Sequence, residues 1–104
     1  MASAKSVLET LRPRAEAALA ALVAQPYQTL AELPDSDSEE IAGFPKKATL
    51  TTFRDDLPEG RLRVVVQLVV RGMLGSARIW AKGFYLLPGT PPIPAIDEEL
   101  YEFF

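Results

Sequence analysis

The chain has 104 residues, of which 48% are hydrophobic and 24% are charged, and its formal net charge is −3 at pH 7. This length suffices for one domain with its own hydrophobic core, and the composition excludes a chain that is disordered throughout. There is no cysteine and no histidine, which excludes disulfides, thiolate chemistry and the commonest metal-ligating and acid–base side chain. We therefore expect no enzyme, no metal site and no cofactor.

The charges are distributed unevenly along the chain. Residues 32–40 carry five acidic side chains and no basic one, and residues 91–104 carry four acidic side chains. Between them, residues 41–90 carry eight basic side chains against three acidic ones. The sequence thus predicts a basic region between two acidic segments, so local charge says more about partners than the overall pI does.

The period of a helix runs through residues 4–24. Apolar residues recur three and four positions apart, at Ala4, Val7, Leu8, Leu11, Ala15, Ala18, Leu19, Leu22 and Val23, which predicts an amphipathic helix. Ser6 with Glu9 resembles a capping box, and Ser3 is an earlier possible N-cap. Pro13 predicts a kink, or alternatively a fresh helix start that Thr10 caps. Pro26 marks the end of the helix.

The second half of this helix, residues 15–24, has Glu16 as its only polar side chain. Two interpretations stay open for its alanine-rich side. Alanine is a good helix former that tolerates water, or this side is covered by the C-terminal segment or a second subunit. Nowhere does an apolar run approach the ~20 residues that a bilayer requires, so we expect no membrane partner and a cytoplasmic protein.

Residues 25–45 are predicted to be a loop, because they combine Pro26, Pro34, Gly43 and Pro45 with an acidic run. Within the loop, residues 30–33 or 39–42 could form a short helical turn. The acidic side chains at Asp35, Asp37, Glu39 and Glu40 lack the glycine and the final glutamate of a calcium-binding EF-hand loop. We therefore interpret this run as a solvated surface segment and not as a metal site.

Three strands follow, at residues 47–54, 61–71 and 76–87. Apolar residues alternate with polar or basic ones in the second strand, which is typical of a half-buried strand. Short turns at residues 57–60 and 72–75 require antiparallel neighbours. The length of the strands suggests strong twist or a bulge at Gly83.

The predicted fold is α+β, a single domain over residues 1–104. The N-terminal helix would pack on the even-numbered face of the second strand, where Ala77, Ala81 and Gly83 of the third strand would permit close approach. The proline-rich C-terminal tail covers residues 88–104. Residues 90–94 within it would be extended, and Asp97 would cap a short helical turn in which Ile96 and Leu100 share a face.

One candidate binding surface emerges from the last two strands. If their polar faces coincide, the outer face of the sheet, meaning the face away from the helix, carries basic and aromatic side chains: Arg61, Arg63, Arg71, Arg78, Trp80, Lys82 and Phe84. Arginines on an exposed strand also serve solubility, with Trp80 packing on Val65 and Val69. The acidic Asp55, Asp56 and Glu59 lie in a predicted turn, where carboxylates serve local hydrogen bonding and not catalysis.

From this surface we expect a non-enzymatic interaction module that binds a protein partner or a second copy of itself as a homodimer. The alternative is single-stranded nucleic-acid binding, with phosphates on the arginines and bases stacked on the aromatic side chains. The acidic, aromatic C-terminal residues 97–104 could mask the same surface or complete the core. A small-molecule pocket between helix and sheet is a third possibility.

Overall fold

The computed structural model describes residues 3–44, 46–72 and 77–94. In this part of the chain an N-terminal helix packs on an antiparallel sheet, which confirms the α+β fold class. The elements are α1 (Ala4–Val23), α2 (Tyr27–Ala31), β1 (Ser36–Ile41), β2 (Ala48–Asp56), a 3₁₀ turn (Pro58–Gly60), β3 (Leu62–Arg71), β4 (Ala77–Leu86) and β5 (Ile93–Pro94). No helix within these residues is long and apolar enough to span a membrane.

Helix α1 begins after Ser3, whose Oγ accepts a hydrogen bond of 3.1 Å from the Ser6 N–H. The earlier N-cap is therefore correct, and the capping box at Ser6 is wrong. The helix continues through Pro13, so a fresh start at Thr10 is also wrong. Proline inside a helix costs about 3 kcal/mol, and burial of the apolar stripe on both sides of Pro13 offsets that cost.

The sheet has five strands in the order β1-β2-β3-β4-β5, and every neighbouring pair is antiparallel. The three-stranded meander of the sequence analysis corresponds to β2, β3 and β4. The prediction of only three strands is wrong, since β1 and β5 extend the sheet at its two edges. Strand β1 lies in the segment that we predicted to be a loop, and residues 39–42 are not a helical turn.

Strand β1 has no apolar alternation, because only Ile41 at its end is buried. Its register with β2 runs from Ser36 opposite Phe53 to Ile41 opposite Ala48. Backbone pairing with an established neighbour, and not side-chain burial, therefore makes this segment a strand. Acidic side chains suit a sheet edge, since charge there discourages pairing with other chains.

The core lies between the helices and one face of the sheet, in two clusters. The first joins Val7, Leu11 and Ala15 of α1 to Val66, Leu68 and Val70 of β3, with Ile41, Ala48 and Leu50 beside them. The second joins Leu30 of α2 to Leu62, Val64, Phe84 and Leu86. The packing of α1 on the even-numbered face of β3 is thus confirmed. We call this face the helix side of the sheet.

Strand β4 presents to the helices the face opposite to the one that we predicted. Its register places Trp80 opposite Leu68 and Phe84 opposite Val64, and directly opposed residues of antiparallel strands share a face. Ala77, Ala81 and Gly83 therefore lie on the outer face. The register is continuous from Leu62–Leu86 to Arg71–Ala77, so the bulge expected at Gly83 is wrong.

Two predicted features fall wholly or mainly outside the described residues. These are the hairpin connection at residues 72–75, of which only Gly72 is described, and the C-terminal helical turn from Asp97.

Arg54 on β2 ties the α2–β1 connection to the sheet. Its Nε donates to the Leu33 carbonyl at 2.7 Å, and its two terminal nitrogens lie 3.0 Å from Asp35 Oδ1 and 2.6 Å from Asp56 Oδ1. The side chain is only 13% exposed. Substitution would leave these partners without their shared cation.

We expect Arg54→Met to lower the free energy of unfolding by about 2 kcal/mol, the cost of losing hydrogen bonds to a largely buried charged group. The matched control is Arg14→Met, which removes a 3.0 Å pair with Glu39 whose side chains are 52% and 58% exposed. Exposed pairs contribute less than about 1 kcal/mol. Urea unfolding measures the change in unfolding free energy of both variants. Equal losses of unfolding free energy would show that Arg54 contributes no more to stability than an exposed ion pair does.

Candidate interaction surface

The structure separates the seven predicted binding residues. Arg63 and Arg71 lie on the outer face of β3, and Arg61 directly precedes that strand. The other four lie on the helix side of β4: Arg78, Trp80, Lys82 and Phe84. The prediction of one shared basic and aromatic surface is therefore wrong.

The reason is the length of the hairpin connection. Arg71 pairs with Ala77, which leaves residues 72–76 between them. Because the number of connecting residues is odd, each odd-numbered residue of β3 stands opposite an odd-numbered residue of β4, and each even-numbered residue opposite an even-numbered one. Trp80 therefore lies on the same face as Leu68, and Arg63 lies on the other face. A change of one residue in the connection would exchange the faces of β4.

The arginines before and within β3 also occupy separate environments. The Arg63 side chain is 11% exposed, and its guanidinium lies 2.7 Å from Asp55 Oδ2. The Arg61 guanidinium lies 5.5 Å from the centroid of the Tyr85 ring, within cation–π range. Arg71 lies at the far end of β3, about 26 Å from Arg63 at ~3.3 Å per residue. These side chains form no continuous basic surface.

The two aromatic side chains belong to the core. Phe84 is 2% exposed and lies in the cluster around Leu30. Trp80 is partly buried and packs against the cluster that contains Val7 and Leu11. Neither presents a free ring face on the outer face of the sheet. Neither of the sequence interpretations placed Trp80 correctly, since Val65 and Val69 are on the opposite side of the sheet.

The outer face is instead uncharged over its whole middle. Cross-strand pairing brings together side chains of β2, β3, β4 and β5 there, which we name the outer patch: Thr49, Thr51, Phe53, Val65, Gln67, Val69, Ile79, Ala81, Gly83, Tyr85 and Ile93. Charged side chains on this face stand at the two ends, with Asp55, Arg61 and Arg63 at one end and Glu40, Lys47 and Arg71 at the other.

The outer patch combines a tightly packed centre with an exposed apolar margin. Val65 is fully buried, although both described helices lie on the other side of the sheet. At the margin, Ile79 is 41% exposed and Ile93 is 53% exposed. Among the described residues these are two of the three exposed large hydrophobic side chains, and the third is Val23 at the end of α1.

Sequence reasoning missed this surface because it grouped β4 by the wrong face. The sequence does contain a signal for this surface. Between Arg63 and Arg71, the alternate positions of β3 are all uncharged: Val65, Gln67 and Val69. Recognising its continuation on β4 needs the register of the hairpin.

The acidic groups considered earlier are dispersed over ion pairs. Glu39 pairs with Arg14, and Glu40 lies 3.7 Å from Lys47. Asp55 pairs with Arg63 on the outer face. The described residues contain no cluster of three or more acidic side chains that could hold a metal ion.

Comparison with known proteins identifies no relative from which a function could be inferred. No protein-family model matches the sequence, and neither a curated protein nor a solved structure matches it.

Proposed function

We propose that this protein is a non-enzymatic interaction module that self-associates by packing the outer patch against the outer patch of a second copy. The observation that carries the proposal is an uncharged sheet face with exposed Ile79 and Ile93 at its margin and no described helix upon it. Burial of exposed apolar side chains is the main favourable term in protein association.

The middle of this face carries no charged side chain, and depletion of charge at the centre is a feature of protein interfaces. Strands β3 and β4 each have 10 residues, which corresponds to about 30 Å at ~3.3 Å per residue. With strands about 4.8 Å apart, the face spans several hundred Å². A standard interface buries ~800 Å² of accessible surface per partner, and because Thr51, Val65 and Gln67 are already buried, the contact would draw mainly on the exposed margin at Ile79 and Ile93.

Charge favours a second copy as the occupant. Each end of the outer face carries charges of both signs, Asp55 with Arg61 and Arg63 at one end and Glu40 with Lys47 and Arg71 at the other. Two copies packed face to face can therefore place the acidic side chain of each end beside a basic side chain of the other copy. Pairing of β1 edges would instead place acidic side chains such as Asp37 and Glu39 against each other, which is unfavourable.

The geometry offers no specific support for single-stranded nucleic-acid binding. That function needs cations and stacking rings on one accessible surface. Arg63 is engaged by Asp55, and Phe84 is in the core.

We expect the wild-type chain to be a dimer in solution and Ile79→Lys to make it monomeric, because a lysine in the patch cannot be buried without a partner charge. Val23→Lys is the matched control. Val23 is 39% exposed, close to the 41% of Ile79, but it lies on α1 and not in the outer patch. Size-exclusion chromatography with light scattering over a range of concentrations measures the mass. Circular dichroism establishes that both variants are folded.

A wild-type chain that is monomeric at all concentrations would contradict the proposal. So would a dimer that Val23→Lys dissociates and Ile79→Lys leaves intact, since that result would place the contact on the helix.

A further inference from the structure

The described part of the sheet has two open edges of similar length. Strand β5 pairs only with Phe84 and Tyr85, so the described residues provide no strand beside β4 from Ala77 to Gly83. At the opposite edge, β1 has β2 as its only neighbour among the described strands, and residues 36–40 of β1 are exposed. An open strand edge presents backbone N–H and C=O groups to any extended segment that reaches it.

Two hydrogen bonds establish which residues direct their backbone groups to these edges. The Arg54 N–H donates to the Asp35 carbonyl at 2.9 Å, and the Arg71 N–H donates to the Lys47 carbonyl at 2.8 Å. Since backbone bonding alternates along antiparallel strands, even-numbered residues of β1 and odd-numbered residues of β4 direct their backbone groups to the open edges. Both sets lie on the outer face. An antiparallel ladder between the two edges therefore keeps the helices of both copies on one side of the joined sheet.

The two edges carry opposite charges on the same face. Arg78 and Lys82 are exposed on the helix side of β4. Asp37 and Glu39 are exposed on the helix side of β1, where Glu39 stands opposite the core residue Leu50. No ion pair identified among the described residues includes Arg78, Lys82 or Asp37. The acidic charge that repels a second β1 edge is therefore attracted to the edge of β4.

One antiparallel register matches these charges best. It places Glu39 opposite Arg78. The same register brings Asp35 opposite Lys82, and Asp37 then stands diagonally between the two cations, at a spacing where opposite charges attract. A shift by two residues in either direction leaves only one pair of opposite charges directly opposed. Charge therefore selects a single alignment of the two edges.

The lengths of the two edges also match in this register. Residues 36–40 of β1 stand opposite residues 77–81 of β4. Pro34, which precedes the strand, stands opposite Gly83, directly before the position at which β5 pairs with Phe84. The added strand therefore ends where β5 begins, and it displaces no described strand.

The carboxylates that this register uses are accessible. The side chain of Asp35 is 91% exposed although its Oδ1 lies 3.0 Å from Arg54, and that of Glu39 is 58% exposed although its Oε1 lies 3.0 Å from Arg14. An ionised carboxylate has two oxygens and accepts several hydrogen bonds. Each group can therefore bind a cation of a second copy without releasing the arginine of its own chain.

We propose that β1 of one copy pairs as an additional strand with the open β4 edge of a second copy, with Glu39 opposite Arg78 and Asp35 opposite Lys82. The contact is head-to-tail, because it uses a different edge of each copy, and it joins copies into a row or a ring. It does not rest on self-association through the outer patch, whose middle is uncharged.

A disulfide test uses the absence of cysteine from the chain. We expect an equimolar mixture of the full-length Glu39→Cys and Arg78→Cys variants to form a mixed disulfide under mild oxidation, because opposed residues at a non-hydrogen-bonded position lie within disulfide range. The control mixture is Glu40→Cys with Arg78→Cys, which removes the same charges but places residue 40 on the outer face. Non-reducing electrophoresis and mass spectrometry of the linked peptides report the product.

Equal yields of mixed disulfide in the two mixtures would overturn the proposal, since the edges would then have no fixed register. A product that joins two copies of the same variant in preference to the mixed disulfide would also overturn it, because like edges would then be in contact.

Sedimentation velocity gives a second readout without cysteine. We expect the wild-type chain to form larger species at low salt that high salt removes, because salt screens exposed charge pairs. Arg78→Glu with Lys82→Glu should abolish these species. Lys5→Glu with Arg12→Glu, which makes the same change in net charge at exposed positions of α1, should retain them.

This readout separates the edge contact from the outer patch, whose uncharged middle makes its association persist at high salt. A wild-type mass that does not rise at low salt would overturn the edge contact. So would a rise that the β4 double variant retains, or that the α1 double variant abolishes equally, since other charges would then be responsible.

Discussion

Replacement of Gly83 by alanine is expected to destabilise the fold by about 3 kcal/mol, the upper part of the range for overpacked sites. A Cβ at this position would lie 2.4 Å from the Val64 carbonyl oxygen and 2.9 Å from Cγ2 of Val65. The carbonyl belongs to β3, which is held by strands on both sides, so the backbone cannot yield cheaply. Urea unfolding measures the loss.

The control for this substitution is Gly89→Ala. Gly89 has φ +76°, and no heavy atom lies within 4 Å of its Cβ position. Alanine there meets only the backbone cost of the left-handed conformation, about 1 kcal/mol. If both variants lose the same unfolding free energy, the glycine at position 83 is explained by the conformational freedom of its own backbone and not by the close approach of β3.

Replacement of Phe84 by alanine is expected to lower the free energy of unfolding by about 3–5 kcal/mol, as for large aromatic side chains removed from a core. Phe84 is 2% exposed and packs with Leu30 and Leu62. The effect follows from the register that places Phe84 opposite Val64 on the helix side of the sheet. Denaturant or thermal unfolding checks it.

The matched control is Ile79→Ala, on the same strand but on the outer face and 41% exposed. We expect a loss of less than about 1 kcal/mol there, as measured on the monomer. A Phe84→Ala variant as stable as the wild type would mean that β4 presents its other face to the helices.

The elements with strong periodicity were predictable because their burial pattern is local. In α1 the apolar stripe continues through Pro13, and in β3 the even positions from Leu62 to Val70 are all apolar. Each pattern identifies the element and its buried face without reference to any neighbour.

Strand β1 shows the opposite case. Its residues Ser36 to Glu40 are exposed and polar, so no side chain signals a strand. The segment is extended because β2 offers it a row of backbone partners. Such pairing is visible only after β2 has been placed in the sheet.

The candidate surface depended on the same kind of information. Arg63 and Trp80 each lie on an alternating strand, but whether they share a face depends on the register of the β3–β4 hairpin.

By itself, the sequence thus determined the fold class, helix α1, the central strands and the buried face of β3, because periodic burial is written into adjacent residues. Only the tertiary structure decided the edge strands, the buried face of β4 and the uncharged outer patch. These depend on pairing between distant residues, and shifting a strand by one residue relative to its partner brings every side chain to the other face.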